Sequence, residues 1–271
     1  MNVREMLRPI RCFFLDMDGT VYLSENLIDG TMDFVRKTLE SGRTIVFLTN
    51  NSSHSVAFYK EKLRRLGIPA CLREQLLTSC VAAEEVILQR FPGQKGYAVA
   101  NREVQEELAA RLPGCRFEWD WRGQEKPSYV LITFDTELTY EKLTCACNLI
   151  RQGVPYIATH PDPNCPVEGG VLPDEGATLA YIKASTGRDP DVIAGKPYPD
   201  ILLNACRRMG LDRKACAMGG DWIDSDIRAG VNAGMQSILV MSGNTTPAIL
   251  KASPVQPDLV FDRLADMIPY L

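Results

Sequence analysis

The chain has 271 residues, 45% of them hydrophobic, and its 34 Asp and Glu outnumber 30 Lys and Arg for a net charge of −4. That suits one large domain or two modest ones, and argues against nucleic acid or an anionic membrane as main partner, since both want a basic face. No apolar run approaches the ~20 residues of a bilayer span, MNVREMLRPI lacks a signal-peptide core, and nine cysteines without a C-x-x-C pair read as reduced, mostly buried thiols, so a cytoplasmic location is expected.

In chain order, short apolar strands are predicted at 12–18 (CFFLDMD), 44–50 (TIVFLTN), 96–101 (GYAVAN), 128–135 (SYVLITFD), 155–160 (PYIATH), 192–195 (VIAG), 215–221 (ACAMGGD), 237–242 (SILVMS) and 258–261 (DLVF). Amphipathic helices lie between them. TMDFVRKTLESG places Phe34, Val35, Thr38 and Leu39 on one face and stops at Gly42, and REVQEELAARL and TYEKLTCACNLIRQG behave alike. Such alternation is the pattern of parallel βαβ units, hence an α/β, doubly wound, Rossmann-like parallel sheet. Three strands run into polar ends, DMD, TNN and GGD. In open α/β sheets ligands bind outside the carboxyl ends of strands, so the three can meet in one crevice. Residues 81–178 also alternate strand and helix but carry fewer charged strand ends. They read as a second α/β domain inserted into a core formed by 1–80 and 179–271.

Chemistry narrows by elimination. The only histidines are His54 and His160, which leaves zinc sites built on histidine pairs poorly supported; H-E-x-x-H, G-x-S-x-G and G-x-G-x-x-G are all absent. The GK at 195–196 is no nucleotide P-loop, because Pro190 stands where its first glycine belongs and Pro197 where Ser or Thr belongs. Carboxylates remain. Asp16 at a strand tip is a candidate nucleophile, able to form an aspartyl-phosphate. Asp18, two residues on in the same predicted strand, projects to the same side and can serve as general acid and base. A phosphate dianion beside an ionised Asp16 is repelled by about 4 kcal/mol per like-charge pair at about 4 Å and an effective dielectric near 20. A hard cation held by oxygens, Mg2+ above all, answers that repulsion, with Asp221 as the remote carboxylate. Lys196 adds a fixed positive charge, and Thr49, Asn50 and the following helix N-terminus offer an anion site. Asp224 reads as the N-cap of the next helix. Trp119, Trp121 and Trp222 read as packing or surface residues, with FEWDWRG an exposed edge or loop of the insert.

Four segments, DMDGT (16–20), TNN (49–51), GKPYPD (195–200) and GGDWIDSD (219–226), together resemble the haloacid dehalogenase-like phosphatases. The stretch from TFDTELTYEKL to ASTGRDP resembles the large C2-type cap of the NagD-like branch, with its p-nitrophenyl-phosphatases and phosphoglycolate or pyridoxal-phosphate phosphatases. The resemblance implies that Asp16 is the nucleophile and Asp18 the acid and base. It implies a Mg2+ held by the Asp16 and Asp221 side chains and the Asp18 carbonyl, with Asp226 in support. Thr49, Asn50 and Lys196 would hold the phosphoryl group, with Asn51 less clearly assigned, and the insert would act as a lid. It further implies a small-molecule phosphomonoester substrate and leaves room for a homodimer through the cap. His160 replaces the asparagine more usual in the family; with Asp162 it is placed near the leaving group, the alternative being a histidine that hydrogen-bonds within the cap. Glu168, Asp174 and Glu175 read as solvated loop acids or helix caps. The alternatives are a phosphoryl-accepting signalling protein, a phosphomutase, a dehalogenase, or a scaffold that has lost activity.

Overall fold

Cys12–Asp16 is apolar at every position but its last and buried at all five, as expected of a strand covered by helices on both faces. In the computed structural model, which describes residues 2–73, 75–167 and 169–271, it lies inside a six-stranded sheet. The strand order is Leu259–Phe261, Gln236–Val240, Cys216–Gly220, Cys12–Asp16, Thr44–Thr49, Leu76–Thr78. Cys12–Asp16 pairs in parallel with Cys216–Gly220 on one side and Thr44–Thr49 on the other. The sequence direction of the sheet therefore reverses at this strand, which makes its carboxyl end the switch point where α/β proteins bind ligands. Helix Thr31–Glu40 buries Thr31, Phe34, Val35 and Thr38, and Phe34 meets Phe13 edge to face at 5.7 Å.

A second sheet has five parallel strands in the order Val192–Ile193, Tyr156–Ala158, Tyr129–Ile132, Gly96–Val99, Cys115–Arg116. Its core is built from Tyr97, Val130, Ile132, Leu149, Ile150, Tyr156 and Ile182, with half-buried Trp119 and Trp121 packed against it.

All nine predicted strands are present, each trimmed by up to four residues where polar ends leave the ladder. Not anticipated were the two-residue strands Tyr22–Leu23 and Asn26–Leu27, the edge strand Cys115–Arg116, Leu76–Thr78, and the exposed hairpin Asn164–Val167 with Gly170–Pro173. These are too short, or too exposed, to show an apolar period. The chain divides into two compact units, one of Met1–Thr49, Ala57–Leu77 and Lys196–Leu271, the other of Asn50–Val56 and Thr78–Gly195. The expected end of the insert at 178 moves to Gly195, because Val192–Ile193 pairs with Tyr156–Ala158 and carries helix Glu175–Thr186 with it. Among the described residues no helix is long and apolar enough to cross a membrane. Of the nine cysteines, all free, seven are buried.

Candidate active site

Three acids meet at the carboxyl edge of the six-stranded sheet. Asp16 closes its strand, Asp221 follows Cys216–Gly220, and Asp226 lies in the π-helical turn Ile223–Ile227. One oxygen from each lies within 4.8 Å of the others, and all three residues are buried. Lys196, only 2% exposed, sets its Nζ 2.5 Å from Asp16 Oδ1 and 2.6 Å from Asp226 Oδ1.

Supports hold each carboxylate. Thr20 Oγ1 donates to Asp221 Oδ1 at 3.1 Å, while the backbone N and Nδ2 of Asn244 donate to Oδ2 at 2.5 and 2.9 Å. Asp226 Oδ2 accepts from Trp222 N at 2.9 Å, and this bond spans the wide turn that aims Oδ1 at Lys196. Backbone approaches closely here. A Cβ on Gly243 would lie 2.0 Å from Asp221 Oδ2, and Gly19, at φ +85, would place one 2.6 Å from the same atom. Glycine is required at 19 on both counts, since φ above zero is costly for other residues.

Burial pushes the Asp16 carboxyl well above its usual range; Lys196 pulls it back, and Asp226 and Asp221 push it up again. Burial, then Asp226, raises Asp221 to about 6, against the donors from Asn244 and Thr20 and the charge of Lys196. For Lys196 burial works against the charge, but Asp16 and Asp226 outweigh it and hold the ammonium protonated. Three acids and one ammonium leave an excess of negative charge in low dielectric. An all-oxygen donor set of this kind suits a hard divalent cation.

Asp18 departs from the expectation. The strand ends at Asp16, so Asp18 sits beyond it, bridged to Tyr22 beside a turn where Met17 O accepts from the amides of Thr20, Val21 and Tyr22. Asp18 is exposed where Asp16 is buried, and its Oδ2 accepts from Tyr22 Oη at 3.2 Å. Asp224 does not cap a helix. Trp222 takes the position before the turn, and Asp224 is exposed and paired with Arg228 at 2.7 Å.

Thr49 is buried at the tip of Thr44–Thr49. Asn50, the next residue, belongs to the second unit, where its Nδ2 donates to Asp162 Oδ2 at 2.8 Å and its carbonyl accepts from Ser79 Oγ. Asn51 Oδ1 accepts from the N and Oγ of Ser53 at 2.9 and 2.7 Å. Glu103 and Glu107 take the amides of Ser55 and Val56, at 3.0 and 2.8 Å.

His160 has no exposed surface. Its Nδ1 lies 3.5 Å from Asp162, and its Nε2 lies 3.5 Å from both Asp174 and Glu175, without hydrogen-bond alignment. It therefore faces acids of its own unit, not open solvent. Glu175 is fully buried, contrary to the solvated acid expected, and accepts from Thr159 N, Thr159 Oγ1 and His160 N. Asp174 caps its helix as expected, accepting from Glu175 N at 2.6 Å, but is likewise buried. Glu168 lies outside the described residues.

Sequence reasoning missed Thr20, Tyr22 and the Ser242–Asn244 turn. Thr20 stood inside the quoted DMDGT. S-G-N after Gln236–Val240 is a fourth polar strand end, of the same kind as the three that were singled out.

Family comparisons agree with this geometry. Sequence models described as haloacid dehalogenase-like hydrolase and as HAD-hydrolase-like match residues 13–111 and 193–267. An acid sugar phosphatase of Staphylococcus aureus (strain USA300) is 34% identical over 265 residues, covering 98% of this chain and 99% of its own. A 4-nitrophenylphosphatase from Thermotoga maritima superposes with a TM-score of 0.89 at 39% identity, over 97% of this chain and 98% of its own. A glycerol phosphate phosphatase from Mycobacterium tuberculosis, solved in complex with magnesium, gives 0.83 at 28% identity, over 96% and 77%. The chain belongs to the haloacid dehalogenase-like hydrolases, in the NagD-like branch that holds such phosphatases.

Proposed function

We propose that the protein is a Mg2+-dependent phosphatase of small-molecule phosphomonoesters that works through an aspartyl-phosphate. One observation carries this reading: a buried carboxylate at the sheet's switch point, Asp16, bonded to a buried ammonium and gathered with two more buried acids. Relatives named as phosphatases of sugar phosphate, nitrophenyl phosphate and glycerol phosphate support it. They favour turnover over the phosphoryl-accepting, mutase and dehalogenase alternatives. Within the class, sugar phosphates, nucleoside monophosphates, phosphoglycolate and pyridoxal phosphate are the substrates to try.

The chain's own residues divide the work. An Asp16 oxygen attacks phosphorus, and the bond from phosphorus to the ester oxygen breaks as Asp18 gives that oxygen a proton. Asp18, now a carboxylate, takes a proton from water as the water attacks the aspartyl-phosphate. Inorganic phosphate leaves and Asp16 is restored. Lys196 stays charged throughout and offsets the anions around Asp16, while Thr49 and Asn50 are assigned to the phosphoryl oxygens. Asp16, Asp221 and the Asp18 carbonyl would hold the metal, with Asp226 behind them. When bound, Mg2+ supplies positive charge against the phosphoryl oxygens.

The test is a phosphate-release screen over a panel of these esters, with and without Mg2+. Asp16→Asn is expected to lower turnover at least about a thousandfold, since removal of a nucleophile leaves only residual catalysis, while the circular dichroism spectrum stays unchanged. Asp221→Ala is expected to weaken Mg2+ binding in calorimetry. Release without Mg2+, or activity surviving in Asp16→Asn, defeats the reading.

A further inference from the structure

We propose that Tyr22 is a positioning residue for Asp18, and that Lys62 fixes and polarises it. The inference rests on the general-acid role proposed for Asp18 and assigns that role its support.

The geometry is specific. Asp18 is exposed beyond the end of the strand, and its backbone bridges to that of Tyr22. Tyr22, four residues on, has no exposed surface. Its backbone closes the turn, its N donating to Met17 O at 3.2 Å and its O accepting from Gly19 N at 2.8 Å. From that fixed point its hydroxyl donates to Asp18 Oδ2 at 3.2 Å. Lys62 Nζ sits 3.9 Å above the ring centroid, on a residue 8% exposed, with Glu25 Oε1 3.9 Å away. A cation over an aromatic face is held by the ring's quadrupole, and it draws electron density from the ring, which strengthens the hydroxyl as a donor.

The chemical consequence concerns the orientation of the acid. With Oδ2 held by the Tyr22 hydroxyl, the carboxyl cannot turn freely. An oriented acid matters most where the departing oxygen needs a proton. Phenolate, whose parent acid has a pKa of about 10, needs that help. The nitro-stabilised p-nitrophenolate needs much less. Loss of the Tyr22 hydroxyl should therefore discriminate between two substrates that differ by one nitro group. A structural defect would slow both alike.

The experiment measures kcat/KM, which reports the phosphoryl transfer to Asp16, for phenyl phosphate and p-nitrophenyl phosphate in the full chain with Mg2+. Asp18→Ala sets the scale: its loss should be at least about tenfold greater on phenyl phosphate, within the range of general-acid catalysis. Tyr22→Phe, which keeps the ring, should show the same split at about tenfold, and Lys62→Met a smaller one of about threefold. In an Asp18→Ala background Tyr22→Phe should add no further split. If Asp18→Ala slows both substrates equally, the acid role itself falls and takes the inference with it. If Asp18→Ala splits them while Tyr22→Phe does not, the acid role stands and the inference is overturned. Should Tyr22→Phe fail to fold, Lys62→Met decides: a split in the same direction supports the inference, and equal rates overturn it.

Discussion

His160 sits among Asp162, Asp174 and Glu175 with no exposed surface, and its charge follows from that company. Burial alone would lower its pKa, but Glu175, Asp162 and Asp174 together raise it to about 9. Burial raises Glu175 to about 8 and Asp174 to about 6, against the opposing charge of His160. The signs agree. A histidine raised above its unfolded value of 6.5 stabilises fully below that pH and loses the contribution as pH rises through about 9. Carboxyls raised above 4.5 and 3.8 keep protons that the unfolded chain has released, so they too cost stability as pH rises, through about 8 and about 6. The urea midpoint is expected to fall between pH 6.5 and 9, by the equivalent of at least about 3 kcal/mol. In Glu175→Gln the fall should flatten. A level profile in the parent chain would contradict this account of the cluster. The sequence marked His160 as unusual and left open a substrate contact or a hydrogen-bonding role within the cap; the packed neighbours set it against two buried acids, Asp174 and Glu175, and half-buried Asp162.

At the scale of one element, the turn Ile223–Ile227 separates two acids that look equivalent in DWIDSD. Its wide winding puts Asp226 inward against Lys196 and Trp222 N, and leaves Asp224 on the surface with Arg228. Such turns recur at functional sites because the extra residue re-aims a side chain. Asp224→Ala is expected to keep kcat/KM within about twofold and to shift stability by under about 1 kcal/mol, the usual value of an exposed pair. Asp226→Ala leaves a buried ammonium with one partner fewer, and should destabilise by about 3 kcal/mol and lower activity at least about tenfold. Comparable effects at the two positions, in phosphate release and thermal melts, would refute the separation. The family pattern already singled out Asp226; the cap role expected of Asp224 failed because a π-helical turn leaves no sequence period of its own.

Across the whole molecule, composition bears most directly on the thiols. Nine free cysteines are present; seven are buried, Cys165 is half-buried and Cys71 is exposed. Burial lifts the thiols of Cys115 and Cys145 to about 11 and carries Cys80 well above its ordinary value. A Cys216 side chain bonded to its thiol neighbour Cys12 is raised to about 12. Since the thiolate is the reacting form, a disulfide-exchange reagent at pH 8 is expected to find one fast thiol, Cys71, followed by Cys165. The remaining seven should react only after denaturation. Rapid native titration of four or more would contradict the described packing.

The sequence by itself determined the alternation of strand and helix, hence the parallel sheets, and named Asp16, Asp221 and Lys196. The fold reading succeeds because apolar period is a local property, written in consecutive residues, and the structure places the three named side chains together. Tertiary structure alone decided that Asp18 lies beyond the strand, tethered by Tyr22, that Thr20 and Asn244 grip Asp221, and that His160 faces inward. It also decided that the second unit runs on to Gly195. Each depends on residues brought together across a turn or from distant parts of the chain, and burial then sets the charge each can carry.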